Sequence, residues 1–170
     1  KHKFFGENRI QEAQKKFSKE IIKKFNLTLH LIGPLQTNKV RLALQLFHCI
    51  QSIDRPKLVN EISKQQHKIN TKTKEYFIQV NIGKEPQKSG IHPDDLSNLY
   101  DLCIIKNLKI SGLMCIPPAD KPSNFFFNEM VSLRDKLNEN LTLSMGMSND
   151  YKIALKNNSN LIRIGSRIFN

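Results

Sequence analysis

Long apolar runs are missing from this sequence of 170 residues; none approaches the roughly 18 residues of a membrane-crossing helix. Cysteine is scarce. Cys49, Cys103 and Cys115 are far apart, odd in number and each set in an apolar context. They form no Cys-x-x-Cys pair, so buried thiols in a reducing, cytoplasmic compartment are expected rather than a disulfide framework. His2, His30, His48, His67 and His92 show no His-Glu-x-x-His or comparable spacing, which argues against a metal site. No internal repeat, low-complexity tract or Gly/Ser linker divides the chain, so residues 1–170 are expected to form a single domain. The opening Lys1-His2-Lys3-Phe4-Phe5-Gly6 has neither an initiator Met nor an apolar signal-type segment, and reads as mid-domain sequence.

What is present begins with charge. The formal net charge is +12, with 39% hydrophobic and 25% charged residues, a soluble globular composition. A basic balance raises a nucleic-acid-binding module as one hypothesis. The lysines are spread along the chain, however, for example Lys15, Lys16, Lys23, Lys24, Lys64, Lys68, Lys72 and Lys74. They fall mostly on the polar sides of expected helices, and no aromatic-interleaved RNP-like run or zinc-finger pattern accompanies them. A solvated basic surface is the simpler reading.

Strand-type and helix-type runs alternate strictly. Strands are expected at His2–Phe5, Leu29–Ile32, Cys49–Ile53, Tyr76–Ile82, Leu108–Cys115, Leu141–Met145 and Leu161–Ile164. Between them, a helix from Glu7 to about Lys24 carries Ile10, Ala13, Phe17 and Ile21 on one stripe. Gln36–Phe47 repeats the pattern. A third helix opens with Asp54 as N-cap and Pro56 in its first turn, running to about Ile69. Others start near Pro93, cover Ser123–Leu137 with Phe126, Met130, Leu133 and Leu137 on one face, and cover Asn149–Lys156. Such alternation implies a parallel sheet with right-handed crossovers. Two α/β architectures satisfy it, a doubly wound sheet and a (β/α)8 TIM-type barrel lacking one unit.

Gly occurs seven times, and Gly6, Gly33, Gly83, Gly146 and Gly165 each sit directly behind an expected strand. In a barrel these corners gather at the C-terminal face, where active sites are built. Two carry more chemistry. Ser144-Met145-Gly146-Met147-Ser148 leads into a helix that Ser148 is placed to cap, with N–H groups suited to an anion. Ile162-Arg163-Ile164-Gly165-Ser166-Arg167 ends the last strand and offers backbone N–H, a hydroxyl and guanidinium groups. Arg163 alternates with Ile162 and Ile164, so it points opposite to them, either into a barrel mouth or outward over a helix.

Phe5-Gly6-Glu7-Asn8, His30-Leu31-Ile32-Gly33-Pro34-Leu35-Gln36-Thr37-Asn38-Lys39, Lys88-Ser89-Gly90, Gly112-Leu113-Met114, Ser144 to Ser148 and Arg163 to Ser166 occur in the order found in the pyridoxal phosphate homeostasis protein family, which this chain resembles over essentially its whole length. The resemblance implies a fold-type III barrel similar to the N-terminal domain of alanine racemase. It implies binding of pyridoxal 5′-phosphate (PLP) as a non-catalytic carrier or buffer, with PLP-dependent apoenzymes as recipients and a monomeric state. Carried over by position, Ser148 with Gly165 and Ser166 would hold the phosphate, and Ser166 stands where the family usually has Thr. Arg163 would face the pyridine nitrogen, keeping it unprotonated and weakening the ring as an electron sink. Asn8, Ser144 and Met145 would line the same site.

The chain departs from the family at its start. The family's Schiff-base lysine lies on a first strand upstream of the Phe5–Asn8 run, in a segment resembling Ala-Val-Ser-Lys, and Lys1 and Lys3 are not positional substitutes. Covalent attachment at the family position is therefore not expected. The first β/α unit is expected to be missing, leaving two open sheet edges. The family also continues with Gly where Asn170 stands. A fragment or truncated product is the expectation. The alternative enzyme reading, a racemase- or decarboxylase-like fragment, needs a second β-rich domain carrying a catalytic Tyr or Cys.

Overall fold

In the computed structural model of the chain, which describes residues 2–169, with Lys1 and Asn170 outside them, the alternation becomes one parallel sheet. Its strands are β1 (Phe4–Glu7), β2 (Thr28–Leu31), β3 (Cys49–Ile53), β4 (Glu75–Val80), β5 (Ile110–Cys115), β6 (Thr142–Met147) and β7 (Leu161–Arg163). They lie side by side in chain order, and every neighbouring pair is parallel. A doubly wound sheet reverses its strand order at a switch point; this one never does. The sheet is singly wound and curls as a (β/α)8-type barrel. Side chains record the curl: Ser144 on β6 donates to Gln51 on β3, across the interior rather than along the sheet. Among the described residues, β1 and β7 each pair with one neighbour only, so the barrel is incomplete.

Period-two alternation divides the sheet into two faces. Leu29, Leu31, Ile50, Ile78, Val80, Leu113, Cys115, Leu143 and Met145 point outward into one continuous apolar core with the helices, including Ala43, Leu44, Ile62, Leu99, Phe127 and Met130. Inward, a smaller cluster joins Cys49, Phe77 and Met114. Burying the outer face against amphipathic helices supplies the main driving force for the fold.

The helices follow the expected positions with instructive shifts. The span from Glu7 to Lys24 is two helices, α1 (Ile10–Lys16) and α2 (Lys19–Phe25). Ser18 breaks it by accepting a hydrogen bond from the Ile21 N–H at 3.3 Å, capping a new helix. That break rotates the stripe, so Ile22 is buried while Ile21 is 40% exposed. A short 3-10 turn precedes α3 (Val40–Leu46), and α4 (Pro56–Gln66) ends before Ile69. Asp54 does not cap α4: Arg55 occupies that position, and the Asp54 carboxylate pairs with the Arg55 guanidinium instead. The remaining helices are α5 (Leu96–Ile105), α6 (Ser123–Leu137), α7 (Tyr151–Lys156) and α8 (Ser166–Phe169). Of the eight lysines named above, all but the half-buried Lys72 are exposed, as a solvated basic surface requires.

Strand limits move as well. The first strand is displaced by two residues, which places Gly6 inside β1 against Ile32, not behind it. Gly146 likewise lies within β6, at φ +95° and beside a register shift. A Cβ there would come within 2.5 Å of Ala154 on α7, so glycine is required by both backbone and packing. Asn81 and Ile82 leave the fourth strand because the Asn81 side chain turns the chain, donating to the Glu85 carbonyl and accepting from the Glu85 N–H.

Candidate functional site at the C-terminal mouth

The corner after β6 and the corner after β7 meet. The Gly165 N–H donates to the Ser148 hydroxyl at 3.4 Å, which sets the two turns side by side at the C-terminal end of the sheet. Ser148 is therefore not the helix cap its sequence position suggests. Asp150 occupies the N-cap of α7, and its carboxylate accepts from the Met147 N–H at 2.6 Å. Freed from capping, the buried Ser148 hydroxyl faces the neighbouring corner. Gly165 and Ser166 are exposed, and a Cβ built on Gly165 would meet nothing within 4 Å. Arg167 stacks over the Tyr151 ring at 5.6 Å beside the same turns.

Arg163 points inward, resolving the choice its alternation left open. One terminal nitrogen donates to Ser144 Oγ and the other to the Cys115 carbonyl, both at 2.7 Å. These bonds use two of the five N–H groups of the guanidinium. Burial pulls its pKa below the ordinary value, while the Cys115 thiol and Asp150 act in the opposite sense. From Ser144 the chain of hydrogen bonds continues: Ser144 Oγ–H donates to Gln51 Oε1 at 2.7 Å, and Gln51 Nε2 donates to His30 Nδ1 at 2.8 Å. Burial, and secondarily His48, lowers the His30 pKa to about 4, so the ring is neutral at pH 7.

Ser144 and Met145 do not share an environment. Ser144 faces the interior, whereas the Met145 side chain is buried in the outer core beneath the helices. Adjacent strand residues take opposite faces, and the Met145 carbonyl accepts from Ser159 Oγ in the turn before β7. Asn8 is exposed just past β1, its backbone packed so closely on Gly33 that a Cβ there would lie 2.2 Å from the Asn8 carbonyl oxygen. Sequence reasoning missed Gln51 and Gln79, polar residues next to the inward apolar Cys49 and Phe77 on their strands. Gln79 Nε2 donates to the Ser89 carbonyl, and its buried Oε1 has no partner among the described residues. A polar residue interrupting an apolar strand was the available signal.

A cavity of about 450 Å³ lies elsewhere. Its lining includes Phe4, Thr28, Cys49, Glu75, Thr142 and Leu161, each the first residue of its strand. It opens at the N-terminal end, opposite the Ser148 and Gly165 corners. Its lining contributes mainly apolar surface, and burial raises the Cys49 thiol pKa, so that thiol is protonated and unreactive.

A pyridoxal phosphate homeostasis protein of Aquifex aeolicus is 38% identical over 176 residues, covering 98% of this chain and 76% of that protein. One from Vibrio cholerae is also 38% identical, over 98% of this chain and 75% of that protein. The chain belongs to the pyridoxal phosphate homeostasis protein family. Among solved structures, PipY of Synechococcus elongatus without PLP superposes with a TM-score of 0.87 at 32% identity, covering 99% of this chain and 82% of PipY. The PLP-bound form of PipY gives 0.84 at 30% identity and the same coverage. Alanine racemase of Clostridium difficile matches at 0.76 but only 12% identity, a likeness of fold alone. No family model matches the chain.

Proposed function

We propose that this chain binds pyridoxal 5′-phosphate at the C-terminal mouth and serves PLP homeostasis as a holder of the cofactor rather than as a catalyst. The observation that carries the reading is the Gly165 N–H to Ser148 hydroxyl contact, which joins two donor-bearing corners beside an inward guanidinium. PLP-bound PipY, similar over 99% of this chain, supports it.

The residues fit the group. Open space at Gly165 admits a phosphate to the backbone N–H groups. The hydroxyls of Ser148 and Ser166 add donors that cost little to reorient. Arg163 retains N–H groups beyond its bonds to Ser144 and Cys115, and in this reading one of them donates to the pyridine nitrogen. Gln79 Oε1 is an inward acceptor awaiting a donor. Asn8, Ser144 and the Met145 backbone complete the surroundings.

When bound, PLP supplies an electron-withdrawing ring. Arg163 works against that chemistry. A permanent cation donating to the ring nitrogen keeps a proton off it, so the protein retains the cofactor without activating it. PLP-dependent apoenzymes are the recipients in this reading. The protein acts as a monomer in the cytoplasm, where its three free, buried cysteines remain reduced.

Equilibrium dialysis against PLP tests this. We expect saturable binding that inorganic phosphate competes away. Ser166→Ala and Ser148→Ala should each weaken it by about 1.5–3 kcal/mol, the range for a hydrogen bond to a charged group. Binding that neither substitution nor phosphate affects would contradict the reading.

A further inference from the structure

We infer that Gln51 and His30 are positioning residues for Arg163, fixing through Ser144 the direction in which its guanidinium points. The inference deepens the PLP reading and rests on it for its ligand measurements. Polarity is what makes the chain informative. A guanidinium donates only, so Ser144 Oγ must accept from Arg163. That leaves the Ser144 hydroxyl proton for Gln51 Oε1, which turns the amide nitrogen of Gln51 toward His30 Nδ1. His30 must then carry its single proton on Nε2.

The contacts span four strands, β2, β3, β6 and β7, and pass through an interior where Ser144 and Gln51 are essentially inaccessible. With the His30 proton on Nε2, reversing Gln51 would set its carbonyl oxygen against the bare Nδ1, acceptor facing acceptor. The His30 ring is held at its far side by Phe4, edge-on at a centroid distance of 5.9 Å. One end of the chain is thus clamped near the basal cavity, and the other presents Arg163 to the mouth.

Two variants separate this from a merely structural role, each first checked for a cooperative melt. Gln51→Leu cuts the chain. Gln51→Glu keeps an acceptor for Ser144 but offers His30 only acceptors, so the ring must carry a proton on Nδ1, by tautomer exchange or by a second protonation. Nitrogen-15 NMR of the ligand-free protein at pH 7 should show Nδ1 of His30 unprotonated in the wild type and protonated in Gln51→Glu. An Nδ1 that stays unprotonated in that variant overturns the inference.

The ligand probe is 4-deoxypyridoxine 5′-phosphate, which has no aldehyde for lysines to capture. Its ultraviolet ring band reports the protonation of the pyridine nitrogen. Gln51→Leu should bind it roughly tenfold more weakly, with the band moved toward its position in water. Gln51→Glu should restore affinity and band to near the wild type. Wild-type affinity and band in Gln51→Leu overturn the inference. If the wild-type chain does not bind the analogue, the PLP reading fails, and the inference is then decided by the His30 measurement alone.

Discussion

The two faces of the sheet are built on different rules. Outside, apolar side chains such as Ile78, Leu113 and Leu143 pack against helices in one cluster, and the governing quantity is volume. Inside, His30, Gln51, Ser144 and Arg163 form a directed series of hydrogen bonds, and the governing quantity is the matching of donors to acceptors. One face holds the chain together, and the other sets what the mouth can bind.

The contrast can be broken hardest from outside. Phe127 is fully buried on α6, and Phe127→Ala should cost about 3–5 kcal/mol of unfolding free energy in urea titrations. A loss near 1 kcal/mol would mean that the outer layer collapses easily and volume is not limiting.

Acidification attacks the inner face. The folded-state pKa of His30 is about 4, below its ordinary 6.5, so between these values the unfolded chain binds more protons. The stabilisation is complete above pH 6.5 and is lost as the pH falls toward 4. A shift of this size corresponds to about 3 kcal/mol. His48, also lowered by burial, acts in the same sense. Urea midpoints for wild type and His30→Gln between pH 7 and pH 4 should converge at the acid end. Parallel curves would contradict the assignment.

Smaller effects sharpen the distinction. Ser144→Ala leaves Arg163 and Gln51 each short of a partner and should cost about 1–3 kcal/mol. On the outside, a comparably small trimming such as Ile78→Val should cost about 1 kcal/mol. Equal losses would erase the difference in rule. Smallest of all, Lys16→Ala removes a 3.0 Å ion pair with Glu7 whose Lys16 side chain is 57% exposed, and a loss under about 1 kcal/mol is expected.

The outer face was legible because period and apolarity announce it. Phe126 and Met130 are buried where the spacing puts them, whereas strict alternation left the strand order open between a doubly wound sheet and a barrel. The inner face was only half legible. Alternation gave Arg163 two directions, and only the long contact from β6 to β3 shows which one holds. Ser148 reads as the cap in sequence, and the backbone gives that place to Asp150 instead. The break at Ser18 was hidden because a continuous stripe from Ile10 to Ile21 fits a helix as well as two. Met145 was grouped with Ser144 by its position in the family, although neighbouring strand residues face apart. Gln51 and Gln79 were missed because which groups they meet depends on the curl of the sheet.

The central claim is that ligand phosphate is gripped where the β6 and β7 corners meet. Amide NMR during titration with PLP tests it directly. The account predicts that the largest shifts fall on the N–H groups of Ser148, Gly165 and Ser166. Largest shifts at Phe4, Cys49 and Phe77, around the cavity at the opposite end, would contradict it.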